Sequence, residues 1–200
     1  MDKLEIGGFQ ILKCALDHTA QEQIRDDVRD IAKAAPFYSP LTPWGKPMSV
    51  KMTSAGEFGW YTDRKGYRYI DAHPNGTPWP KIPASILSIW SEHVNTERAP
   101  ECCLCNFYGE KARMGLHQDK DEADFSWPVL SISLGDSGLF RIGGVERNNS
   151  TQSMWLDSGD VVIMGGDARL KFHGIDRIKF GTSDLLSQNG RLNLTLRVVS

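Results

Sequence analysis

The last hundred residues restrict the fold most. From Glu101 onward, short runs of apolar and β-branched residues alternate with turn residues. The candidate strands are 102–108, 114–119, 128–134, 138–142, 153–157, 160–164, 169–173 and 191–199. Gly135-Asp136, Gly143-Gly144, Asn148-Asn149, Gly159-Asp160 and Asn189-Gly190 fall between them as turn signals. Eight short strands broken this regularly predict a jelly-roll-like double sheet.

The first hundred residues read differently. Residues 4–12 predict a strand. Thr19 and Glu22 have the spacing of a capping box, and Ile24, Val28, Ile31, Ala32 and Ala35 follow at helical spacing. The helix should end before Pro36. A second helix is expected over Pro83–Arg98, with Ile86, Leu87, Trp90 and Val94 on one face. Between the helices, residues 36–81 are dense in proline, glycine and large aromatics, which suits a binding loop or short hairpins over a scaffold. Five basic and two acidic residues lie between Trp44 and Arg68, a local balance of +3. Together these predict one α+β domain over 1–200: helices and a substrate-binding lid over 1–100, and a double-stranded β-helix (jelly roll) core over 101–200.

A formal net charge of -2 excludes a globally basic nucleic-acid binder, so any positive field must be local. Cys102, Cys103 and Cys105 crowd one strand with no second cluster to complete a zinc site, and read as buried free thiols. That suits a reducing compartment. Neither a signal peptide nor a membrane span is legible, so the expectation is a cytoplasmic protein with no membrane partner, and a monomer suffices.

His117-Gln-Asp119 carries the first chemical signal. Residues two apart on a strand point the same way, so His117 and Asp119 can ligate one ion. Of the other histidines, His18 begins the first helix, His73 lies in a turn and His93 is on the second helix. His173 ends a candidate strand in the same sheet region. Two histidines and a carboxylate on one face, with open positions opposite, form the facial triad of non-haem Fe(II) oxygenases. A surface His-x-Asp is commonplace, however, and does not establish a metal site alone.

Arg191-Leu-Asn-Leu-Thr-Leu-Arg197 alternates strictly. Arg191, Asn193, Thr195 and Arg197 share one face; Leu192, Leu194 and Leu196 share the other. An edge strand with a solvated polar face would read this way. So would a strand that grips a dicarboxylate with two guanidinium forks.

HQDKDE (117–122), the stretch from Gly159 to Ile175, and RLNLTLR (191–197) resemble the bacterial AlkB family of Fe(II)- and 2-oxoglutarate-dependent nucleic-acid dealkylating dioxygenases. Residues 48–69 are similar to that family's lid, and LCNFY (104–108) to its first co-substrate strand. The similarity runs over roughly 36–199. It implies a catalytic iron held by His117, Asp119 and His173. It implies 2-oxoglutarate contacts from Asn106, Tyr108, Arg191, Asn193 and Arg197, with Arg191 on the distal carboxylate and Arg197 near the iron-chelating one. It also implies base and strand contacts from Trp60, Tyr67, Tyr69, Asp121 and Arg147. Phe107 and Met164 depart from the family pattern.

The activity implied is repair: oxidative demethylation of 1-methyladenine and 3-methylcytosine in alkylated single- or double-stranded DNA, with RNA as a further substrate. Dioxygen is the second co-substrate, 2-oxoglutarate becomes succinate, and the methyl group leaves as formaldehyde. A cationic methylated base suits the face of Trp60 and the carboxylate of Asp121, and the base must leave its stack to be reached. Two rivals stay open. A 2-oxoglutarate oxygenase acting on a protein or small molecule would share the iron and co-substrate residues but not the lid. A non-catalytic nucleic-acid-binding jelly roll needs no intact triad.

Overall fold

The computed structural model describes residues 2–200. The strand expected over 4–12 is a hairpin, β1 (Asp2–Ile6) and β2 (Phe9–Lys13), because Gly7 and Gly8 both take positive φ and turn the chain. Helix α1 (His18–Ala34) has its N-cap two residues before the expected one, Thr19. Asp17 is the N-cap, its carboxylate accepting from Ala20 N at 2.8 Å. An aspartate there also complements the helix dipole, while Glu22 pairs with His18 and Arg25. Ile24, Val28 and Ile31 form the buried stripe.

Three strands follow: β3 (Lys51–Gly56), then the hairpin β4 (Gly59–Asp63) and β5 (Gly66–Ile70). Helix α2 (Ala84–His93) is shorter than expected, with Pro83 as its N-cap and Val94 as its C-cap. The chain folds back after Val94, and the buried Trp90 indole donates to Arg98 O. The buried face is Ile86, Ile89 and Trp90; Leu87 is only partly covered.

The second half supplies β6 (Cys102–Tyr108), β7 (Met114–His117), β8 (Val129–Gly135), β9 (Ser137–Ile142), β10 (Gln152–Leu156), β11 (Val161–Met164), β12 (His173–Lys179) and β13 (Arg191–Arg197). Eight strands were expected, and eight form, but one is displaced. Residues 166–168 are a short 3-10 turn, and the strand expected over 169–173 starts at His173 instead.

A seven-stranded antiparallel sheet has the order β1-β2-β11-β8-β13-β6-β3, and a four-stranded one the order β10-β9-β12-β7. Strands from the first hundred residues therefore complete both ends of the larger sheet. The two sheets face one another over a core that includes Phe9, Leu104, Val162, Phe140 and Ile175. The helices cover the outer face of the larger sheet, where Ile24, Val28, Ile86 and Trp90 pack on Cys103, Cys105, Leu192, Leu194 and Leu196. This two-layer sandwich is the jelly-roll architecture expected from the strand pattern. Leu194 is wholly buried, so Leu194→Ala should cost about 2–5 kcal/mol. Cys102, Cys103 and Cys105 are buried free thiols, as expected. Among the described residues no helix is long and apolar enough to cross a membrane.

Candidate active site

Strand β13 is central, between β6 and β8, and not an edge strand. Its leucines face the helices. Arg191, Asn193, Thr195 and Arg197 face a cavity of about 350 Å³ between the sheets. A polar face is tolerated so deep because each group has a partner or looks into the cavity. Arg191 is fully buried: its guanidinium donates to Ser133 Oγ at 2.7 Å and Leu156 O at 3.2 Å. Burial lowers its pKa to about 10, which leaves it charged at neutral pH. Gly138 makes room for it, since a Cβ there would lie 2.8 Å from Arg191 Nε.

At the other end of that face lies the triad. His173 pairs with His117 across the β12–β7 ladder, so the long sequence separation is closed by register. Asp119 lies two residues beyond the end of β7. The three residues offer ligand atoms all within 4.8 Å of one another. His117 Nε2 is 3.8 Å from Asp119 Oδ1, and His173 Nε2 is 3.7 Å from Asp119 Oδ2. Gly115 O accepts from His117 Nδ1 at 2.9 Å, and Lys171 O from His173 Nδ1 at 3.0 Å. Those bonds fix the tautomer that turns each Nε2 lone pair inward. Burial, then the neighbouring His117, lowers the His173 pKa to about 4, so this ring is neutral at physiological pH. Burial opposes ionisation of Asp119, but Arg197 foremost, then the two histidines and Arg169, hold its carboxyl well below the usual range.

The donor set fits a divalent iron. Two imidazoles and one carboxylate converge, and Asp119 Oδ2 is buried with no hydrogen-bond partner. The same test holds for a dicarboxylate beside it. Arg191 Nε, Arg197 Nη1 and one atom of the Asn106 amide are also buried and unpartnered. Such groups cost about 1–3 kcal/mol each unless a ligand satisfies them. Tyr108 lines the same cavity and is almost fully buried. Phe107 turns its ring to the opposite face, against Phe37, so this departure from the family pattern leaves the cavity untouched. Met164 lines the cavity as an apolar wall.

Toward the mouth, Trp60 stacks on Tyr67, ring centroids 5.5 Å apart, and donates its indole N–H to Asp121 at 2.8 Å. These three residues and Arg147, whose guanidinium lies over the Phe172 ring, all line the cavity. Tyr69 does not. Its hydroxyl donates to the buried Glu122 carboxylate instead.

Glu122 belongs to a buried network that sequence reading missed. It pairs with Arg169 at 2.9 Å and Arg197 at 3.3 Å, and Arg197 reaches Asp119 Oδ1 at 3.0 Å. Arg169 also donates to the Asp119 carbonyl. In the sequence both residues sit among exposed-looking charges. Only their nearness to the triad, three residues past Asp119 and four before His173, hinted at a role.

Known proteins resemble this chain over most of its length. The family model described as the 2OG-Fe(II) oxygenase superfamily matches residues 8–197. The chain is 51% identical over 193 residues to an alpha-ketoglutarate-dependent dioxygenase AlkB homolog of Caulobacter vibrioides, covering 96% of this chain and 88% of that protein. It is 40% identical over 183 residues to alpha-ketoglutarate-dependent dioxygenase AlkB of Escherichia coli, covering 89% and 84%. Among solved structures, OsALKBH1 superposes with a TM-score of 0.83 at 32% identity, over 98% of this chain and all of that one.

Proposed function

The chain belongs to the 2OG-Fe(II) oxygenase superfamily, and we propose that within it the enzyme repairs alkylated nucleic acid by oxidative demethylation of 1-methyladenine and 3-methylcytosine. Its cofactors are Fe(II), 2-oxoglutarate and dioxygen. The observation that carries the substrate reading is one shared cavity. The facial triad, Arg191 and Arg197 line it together with the Trp60–Tyr67 stack and Asp121.

His117, Asp119 and His173 hold the iron in this reading. Arg191, with Asn193, Asn106 and Tyr108, takes the far carboxylate region of 2-oxoglutarate, and Arg197 lies by the near one. Bound there, iron and co-substrate supply an oxidant that hydroxylates the methyl group, with succinate, carbon dioxide and formaldehyde as products. The protein's part is to position and to exclude water. A base methylated at adenine N1 or cytosine N3 is cationic, and the Trp60 and Tyr67 rings offer it a π face. Asp121, held against Trp60, places a negative charge beside it. Arg147 stands where it can meet the base or its phosphate. The base enters from a single strand or flips out of a duplex. Every group the reaction calls on lies in one chain, so the enzyme is read as a monomer. Its buried unpaired thiols suit the cytoplasm.

The test is formaldehyde and succinate release from oligonucleotides carrying 1-methyladenine or 3-methylcytosine, against unmethylated controls. One formaldehyde per succinate on the methylated strands is expected. Consumption of 2-oxoglutarate with no formaldehyde from any methylated DNA or RNA would overturn the substrate assignment and favour a protein or small-molecule substrate.

A further inference from the structure

Trp44 is 81% exposed, far more than any other large apolar side chain that stands out in solvent. It is nonetheless held in place. Thr42 N donates to Lys46 O at 2.8 Å, Gly45 N to Thr42 O at 2.8 Å, and Lys46 N to Thr42 Oγ1 at 3.1 Å. Leu41 and Pro47 bridge the base of the turn. Gly45 has a φ of +78°, and a Cβ there would lie 3.1 Å from Arg64 Nε. The turn therefore packs on the tip of the β4–β5 hairpin, where Arg64 and Lys65 lie.

Lys46, Arg64 and Lys65 are exposed, and none has an ion-pair partner among the described residues. Asp63, the acidic residue at that tip, is taken up by both terminal nitrogens of Arg68 at 2.8 Å. The result is an indole displayed with three free cations. That combination suits a polyanion with flat rings, which is unpaired nucleic acid. The patch is continuous with the cavity. Met48, four residues beyond Trp44, lines it, as do Trp60 and Tyr67 of the same hairpin. Even fully extended, four residues span no more than ~13 Å, so the indole stands within a few nucleotides of the cavity.

We propose that Trp44, with Lys46, Arg64 and Lys65, is a second stacking site, holding an unpaired base of the substrate strand a few nucleotides from the one in the cavity. This rests on the nucleic-acid reading above. Trp44 touches none of the residues at the iron, so it should govern strand affinity and not the chemical step.

The test compares a methylated trinucleotide with a methylated 15-mer, and measures binding of a labelled unmethylated single-stranded 15-mer. Wild-type KM should be lower on the 15-mer. Trp44→Ala should raise KM on the 15-mer and weaken binding of the labelled strand by about ten-fold, the range of one base–aromatic stack. Its kcat, and both constants on the trinucleotide, should stay as in wild type. Trp44→Phe should recover part of the loss. Lys46→Ala/Arg64→Ala/Lys65→Ala together should flatten the logarithmic salt dependence of strand binding by about 2. Unchanged 15-mer binding and KM in Trp44→Ala overturn the proposal. Loss of binding only to anionic phosphatidylglycerol vesicles overturns it in favour of a membrane surface. If wild type fails on every methylated strand, the demethylase reading falls, and the binding measurement still decides whether Trp44 holds a strand.

Discussion

Glu122→Gln removes one charge from a buried set of four. Asp119, Glu122, Arg169 and Arg197 are each less than a tenth exposed and together carry two negative and two positive charges. The amide keeps the shape and can still accept from Tyr69, but it leaves one guanidinium charge uncompensated. Breaking a buried pair in this way costs about 3–5 kcal/mol. For a chain of this length that lowers Tm by about 6–20 °C. Glu122 also holds Arg197 in the orientation that faces Asp119. Loss of such a supporting contact should weaken metal binding about 10- to 100-fold. Urea unfolding followed by circular dichroism reads the first effect, and titration with Co(II), followed by its absorption, reads the second. A loss below about 1 kcal/mol would mean instead that water reaches the cluster and screens it as it does a surface pair.

Three further outcomes follow. Tyr69→Phe deletes a hydrogen bond to a buried carboxylate and should cost about 1.5–3 kcal/mol, while kcat/KM on a methylated trinucleotide stays within a few-fold of wild type, because Tyr69 does not line the cavity. Gly138→Ala puts a methyl 2.8 Å from Arg191 Nε and should raise KM for 2-oxoglutarate about ten-fold or more, with KM for the nucleic acid unchanged in steady-state assays. Burial works against the Glu101 charge, but Arg98 and the Ser200 and Val199 N–H groups win and lower its pKa from 4.5 to about 2. A depressed carboxyl stabilises the fold above its unfolded pKa and loses that contribution as pH falls through the folded one. The stability gap between wild type and Glu101→Gln should therefore be constant above about pH 5 and close toward pH 2 in acid titrations.

How much of this was legible in the sequence depends on the range of the interaction. The alternation of Arg191–Arg197 is local, so its two faces were readable. That the strand is central was not, because β6 and β8 come from far along the chain. His117 and Asp119 were readable as a spacing, whereas His173 joins them through a ladder contact that no local pattern encodes. The start of α1 was missed by two residues because Asp17 and Thr19 are both good caps, and Asp17 is the one that accepts from Ala20 N. Tyr69 shares a strand face with Tyr67, and the family resemblance implied a shared role. The buried Glu122, hidden in a run of charges, draws Tyr69 elsewhere. Arg169 was invisible for the same reason, since burial of a charge is decided by its distant partners.

His117, Asp119 and His173 should together hold one iron beside a strand that takes 2-oxoglutarate. Anaerobic equilibrium dialysis of the purified chain with Fe(II) and labelled 2-oxoglutarate measures this directly. One iron and one 2-oxoglutarate per chain are expected. His173→Ala should lose the iron while keeping its circular dichroism spectrum, and Arg191→Met should lose the 2-oxoglutarate but keep the iron. A His173→Ala chain that still binds one iron with wild-type affinity would remove His173 from the iron site.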